Sequence, residues 1–185
     1  MSKKDAQQRL RYYKRFFFVY ALITISIAIV AYFMILFLKE QRGASFLINI
    51  AGRERMLLQK MTKEVLLYYS FGQDVHEVHE TIDMFEESMN GMLYGGSVRR
   101  SMLAGEKILI TRVDDHIRVD LDEIESSWKG YKGYLNLVIE KKDPHAMTYV
   151  IEHNAQLLQK IDSFVSLMQE YYENRAARMR TIAIV

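Results

Sequence analysis

Arginine, glycine and amide side chains gather in one short run, Asn49-Ile50-Ala51-Gly52-Arg53-Glu54-Arg55-Met56-Leu57-Leu58-Gln59-Lys60-Met61. A guanidinium presents its N–H donors as a planar fork, which suits oxyanions. Glycine inside a helix costs about 1 kcal/mol relative to alanine, and close approach of another backbone or a ligand is the usual compensation. At helical spacing Ser45, Ile48, Gly52, Arg55, Gln59 and Thr62 form one stripe, beside the stripe that faces a core. Its small residues suit a helix packing on its own copy across a two-fold axis. Two Arg55 side chains would then oppose each other, repelling by about 2 kcal/mol at an assumed ~7 Å and an effective dielectric of ~20. A small anion between them would cancel that repulsion and accept forked hydrogen bonds from both. Arg53 and Arg55 also read as solvated helix charges, Arg53 pairing beside Glu54 or with neighbours such as Glu40.

Other constellations are weaker. His76, His79 and Glu80 share one helical turn and are zinc-type donors, but the sequence shows no further partner for them, so no metal is expected. A di-iron site needs inward Glu and Glu-x-x-His pairs, and the seams described below are apolar. Asp114, Asp115, Asp120, Asp122, Glu123 and Glu125 lack calcium-loop spacing and read as a solvated face. The chain has no cysteine, which excludes disulfides, cysteine-zinc sites and thiol nucleophiles. It has no phosphate-binding glycine loop and no nucleophile elbow. No catalytic residue, no enzymatic activity, no cofactor and no nucleic-acid partner are expected.

The elements that must position the arginine run are helical. One proline and nine glycines in 185 residues leave little to break a helix. Residues 39–180 read as four amphipathic segments. The first carries Leu47, Ala51, Leu58, Met61, Val65 and Tyr68, with Glu54 breaking the stripe. The second carries Val75, Val78, Ile82, Phe85, Met89 and Met92, after a turn at Phe71-Gly72-Gln73-Asp74 with Asp74 as N-cap. The third carries Ile117, Leu121, Ile124, Trp128, Tyr131, Leu135 and Val138, and the fourth Val150, Asn154, Leu157, Ile161, Phe164, Met168 and Tyr171. Four such seams predict an all-α, antiparallel up-down-up-down four-helix bundle. Residues 97–112 are ambiguous, too long for a tight turn and long enough for a short helix; the loop 95–112 is read as membrane-distal.

Phe16 to Leu38 is 23 residues without an acidic or basic side chain. A helix of that length spans roughly 35 Å, against a hydrocarbon core of about 30 Å. Residues 1–15 hold six Lys and Arg against one Asp, which places this basic N-terminus in the cytoplasm and residue 39 onward outside. The expected organisation is a cytoplasmic segment 1–15, a membrane-anchoring transmembrane helix 16–38, the bundle 39–180, and the start of a second span at 181–185.

The arginine run resembles the first-helix signature of the PilJ/NarX-type sensor domains, an Asn-x-Ala-Gly-Arg-x-Arg-Met-Leu-x-Gln-Lys pattern. Met92-Leu93-Tyr94-Gly95-Gly96 and Trp128 are similar to the family as well. The resemblance implies a periplasmic four-helix bundle between two spans of the bacterial inner membrane, acting as the input domain of a chemoreceptor, histidine kinase or diguanylate cyclase. In the nitrate-sensing members an arginine before the methionine contacts nitrate or nitrite at a homodimer interface. That position is Arg55, with Gly52 and the backbone near Ile48 and Ala51 lining the site, and Gln59 one turn further along the stripe. Leu58 departs from the Ser or Thr often found there. Members associated with pili imply an alternative, a module that senses a protein or pilus partner.

Overall fold

The computed structural model describes residues 3–100 and 105–184, with side chains described for 12–39, 41–100 and 105–179. Helix α1 runs without a break over Lys3–Phe71, α2 over His76–Tyr94, α3 over Asp115–Lys141 and α4 over Pro144–Ile184. Between α2 and α3 a hairpin of β1 (Gly96–Arg99) and β2 (Lys107–Ile110) pairs antiparallel, with Val98 opposite Ile108.

The chain divides into two compact units, Met1–Arg42 and Gly43–Val185. In the first, α1 is apolar and exposed: its best 18-residue window has a mean hydropathy of 2.7 and no buried residue. By length and composition this helix can cross a membrane. The expected second span at 181–185 lies outside the described side chains.

The second unit is the four-helix bundle. Apolar residues of all four helices face one core, with Leu57, Leu58, Met61, Val65, Phe85, Leu135, Val138 and Met168 each fully buried at 0% exposure. Phe85 and Trp128 rings stand 4.3 Å apart between α2 and α3. Each helix end has its own stop. Asp114 accepts from the His116 amide at 3.2 Å and starts α3. Lys142 ends α3 in the left-handed region at φ 50°, and Asp143 then accepts from the His145 and Ala146 amides to start α4 at Pro144. The N-cap of α2 is Val75, not the expected Asp74; Asp74 lies one residue before it and accepts from the His76 amide at 2.9 Å.

Two features differ from expectation. Residues 97–112 form a hairpin around Ser101–Ala104, which lie outside the described residues, instead of a short helix. Gly95 and Gly96, at φ 76° and 129°, turn the chain out of α2. Val98 and Ile110 then point inward at strand spacing and close over Gly91. The hairpin is also not at the far end of the bundle. After one helix up and one helix down, the chain is back beside residues 43–53 of α1. Accordingly Arg53 reaches the Arg99 carbonyl, and Arg175, late in α4, pairs with Asp114 at 3.1 Å. The opposite end carries the turns at 72–75 and 142–143, where Tyr68 donates to the Ile139 carbonyl.

Candidate functional site

The arginine run occupies three turns of α1, and the helix sorts its residues by face. Ala51 is buried at 1% exposure and Ile48 packs partly against the core. Gly52 is half-buried, and Arg55 and Gln59 are exposed. A Cβ on Gly52 would meet only the Arg55 guanidinium, at 3.6 Å, so the surface here is low and open. The exposed face continues through Met56 (60%) and Leu66 (42%), which are apolar and turned to solvent. Thr62, placed on this stripe by spacing, instead turns inward: its hydroxyl lies 2.9 Å from the Tyr131 hydroxyl and accepts from Asn154 at 2.7 Å. Burial raises the Tyr131 phenol above its ordinary range.

Arg55 does not stand free. Its Nη1 donates to Asp162 Oδ1 on α4 at 2.9 Å, and its Nε reaches back to the Gly52 carbonyl at 3.5 Å. The ion pair is a surface one, the two side chains being 46% and 47% exposed.

Arg53 differs from Arg55 although only one residue separates them. It is half-buried and donates to the Arg99 carbonyl at 2.6 Å and to the Ser88 hydroxyl at 2.5 Å, tying α1 to α2 and to the hairpin. The expectation of a solvated Arg53 is therefore corrected. Beside it Glu54, at 2% exposure, is the residue that breaks the apolar stripe, and the helix carries it into the core. Neither of its carboxylate oxygens has a hydrogen-bond partner. Ser88 does not supply one, because its hydroxyl is spent on the Met84 carbonyl at 2.9 Å. Burial pushes the Glu54 carboxyl well above the usual range, and the charge of Arg53 only partly offsets this. Burial likewise lowers Arg53. Nearby Glu87 binds Arg99 Nε at 2.8 Å and Lys107 Nζ at 3.1 Å. Burial raises that carboxyl, but the hydrogen bonds from Lys107 and Arg99 outweigh burial and hold it below its usual range.

His76, His79 and Glu80 are exposed, and among the described residues no group of three or more His, Cys, Asp or Glu is placed to hold a metal ion. The acidic stretch of α3 is mostly solvated; Asp114 serves as cap and partner of Arg175, and Glu123 pairs with Lys160 of α4 at 2.6 Å.

A four-helix bundle reached through a long apolar helix, with an arginine-bearing stripe on its first helix, is the architecture of a sensor-domain family, and the comparisons bear this out. The chain belongs to the PilJ family: the family model described as type IV pili methyl-accepting chemotaxis transducer N-term matches residues 36–153. It is the sensor domain of a methyl-accepting transducer. Gly52, Arg55 and Gln59 lie inside the matched segment and Asp162 beyond it. The fold is similar to the ligand-binding domain of the P. aeruginosa nitrate receptor McpN, at 26% identity and a TM-score of 0.54, covering 68% of this chain and 94% of that one. Among curated proteins, none matches.

Proposed function

We propose that this chain is the periplasmic input domain of a bacterial inner-membrane receptor, and that a homodimer formed through α1 binds a small anion, nitrate or nitrite, between two Arg55 side chains. Residues 16–38 anchor it with the N-terminus in the cytoplasm. The observation that carries the reading is Arg55 itself, an exposed guanidinium beside the open surface of Gly52 on a stripe that ends in solvent-facing Met56 and Leu66. The likeness to a nitrate receptor's ligand-binding domain supports the ligand class. An anion favours the dimer geometry that brings both guanidinium groups to it, and so shifts an existing equilibrium by its differential affinity. Interface helices typically move by about 1–2 Å in such transitions. Helices α1 and α4 lead towards the two expected spans and would carry the offset towards the cytoplasm.

Calorimetric titration of the full chain in lipid nanodiscs tests this. Nitrate or nitrite should bind at less than one per chain, and chloride should not compete at equal concentration. Arg55→Ala should abolish binding while the helical circular dichroism is unchanged; binding that survives this substitution removes Arg55 from the site.

A second reading has its own observation. Leu109 on β2 is 85% exposed, so the hairpin offers an apolar side chain to a protein or pilus partner. A receptor response to pili that survives Arg55→Ala but is lost in Leu109→Asp would favour it.

A further inference from the structure

The guanidinium assigned to the anion already has an anion, and that anion belongs to another helix. Asp162 Oδ1 on α4 accepts from Arg55 Nη1 at 2.9 Å, with both side chains about half in solvent. The Arg55 Nε is directed to the Gly52 carbonyl of its own helix. A ligand that takes forked hydrogen bonds from Arg55 must either draw Nη1 away from Asp162 or sit a few ångströms from a fixed negative charge.

From this geometry we infer that Asp162 is a specificity-determining residue of the Arg55 site, a charge filter that selects monovalent over divalent anions. The inference rests on the proposed Arg55 site. In the two-fold arrangement two Arg55 and two Asp162 side chains carry no net charge before ligand arrives. A monovalent anion leaves the cluster with one negative charge in excess, and a divalent anion leaves it with two. The repulsion from Asp162 scales with the ligand's charge, so it acts twice as strongly on sulfate as on nitrate. Replacing Asp162 by Asn keeps the shape and a hydrogen-bonding oxygen but removes the charge. The cluster then holds a net positive charge of two, which a dianion neutralises fully. The same contact links α1 to α4, so an anion that captures Arg55 releases one tie between these two helices.

The test measures nitrate and sulfate binding, at constant ionic strength, to the full chain in nanodiscs for the unaltered protein, Asp162→Asn, Asp162→Glu and Arg55→Ala. Surface charge pairs of this exposure have effects of a few fold. Asp162→Asn is expected to tighten nitrate about five-fold and sulfate about twenty-five-fold, so that the preference for nitrate falls about five-fold. Asp162→Glu should keep the original preference. A residue with a merely structural role would not move the ratio of the two affinities. If the unaltered protein binds nitrate through Arg55 but Asp162→Asn leaves the ratio unchanged, or weakens both anions alike, the filter is wrong and the Arg55 site stands. If no variant binds either anion, the Arg55 site fails and the filter with it. Circular dichroism of each variant shows that the bundle is retained, and Asp162→Ser takes the place of Asp162→Asn should that variant misfold.

Discussion

Adjacent residues on one helix have opposite fates here. Arg55 is displayed, while Glu54 is sealed in the core with both oxygens unpartnered. An ionised carboxylate in that position is costly, so the group is held in its neutral form well above the usual carboxylate range. Because the folded-state pKa is raised, the native chain holds this proton more tightly than the unfolded one. Stability is therefore full below the unfolded value and is lost as pH rises through the folded one. Glu87, and Asp114 with its hydrogen bonds from Tyr171 and the His116 backbone, are shifted the other way. Their stabilisation is present above the ordinary carboxylate range and is lost as pH falls through their folded values. Glu54→Gln mimics the neutral form. It should match the unaltered protein below the ordinary carboxylate range and exceed it near pH 8, by about 1–3 kcal/mol, the usual cost of a buried group without a partner. Thermal melts across that range check this, and a difference between the two proteins that stays constant with pH would show that the Glu54 carboxyl titrates alike in the folded and unfolded chains, which overturns the raised value.

At the scale of elements the helices were legible and the hairpin was not. Three/four spacing places residues on the core side whether or not the neighbours are known, and Leu47, Phe85, Trp128 and Phe164 are all buried where the pattern puts them. Strands of four residues carry too little alternation to compete with a helix reading, and β1 and β2 are that short. The usable signal was Gly91, a glycine inside an amphipathic helix. The hairpin explains it: an added Cβ would run into Val98 Cγ1 and Ile110 Cδ1. Arg53 was misjudged for the same reason, since its partners are the Arg99 carbonyl and Ser88, and the first belongs to the hairpin. Asp162 was invisible because its contact with Arg55 spans 107 positions in sequence. Gly91→Ala should force the hairpin off α2 and cost about 1–3 kcal/mol in chemical denaturation, as overpacking of a closed contact does. The same substitution at Gly52, where the Cβ has room, should change monomer stability by less than 1 kcal/mol and in the stabilising direction, from helix propensity alone. A comparable loss at both positions would mean that Gly52 is also closed over within the chain.

For the whole molecule the relation that matters is between two copies of the chain, and the sequence offers a clean way to read it. With no cysteine present, a single introduced thiol has no partner except its own copy. A disulfide needs Cβ atoms about 3.5–4.5 Å apart, so only positions close to a two-fold axis can form one. Met56 sits on α1 beside Arg55, is 60% exposed and is apolar, which is the character expected of a side chain covered in a dimer. Ser126 is exposed on α3 and lies away from the proposed interface. Met56→Cys should therefore cross-link rapidly under mild oxidation in nanodiscs, and Ser126→Cys slowly or not at all. If the anion draws the two α1 helices together at Arg55, nitrate should change the rate at position 56, and the change should vanish in a Met56→Cys chain that also carries Arg55→Ala. Rapid cross-linking that ignores nitrate would keep the α1 dimer and detach the ligand from it. Equal rates at positions 56 and 126 would leave no preferred face, and the shared Arg55 site, which needs α1 against α1, would go with it.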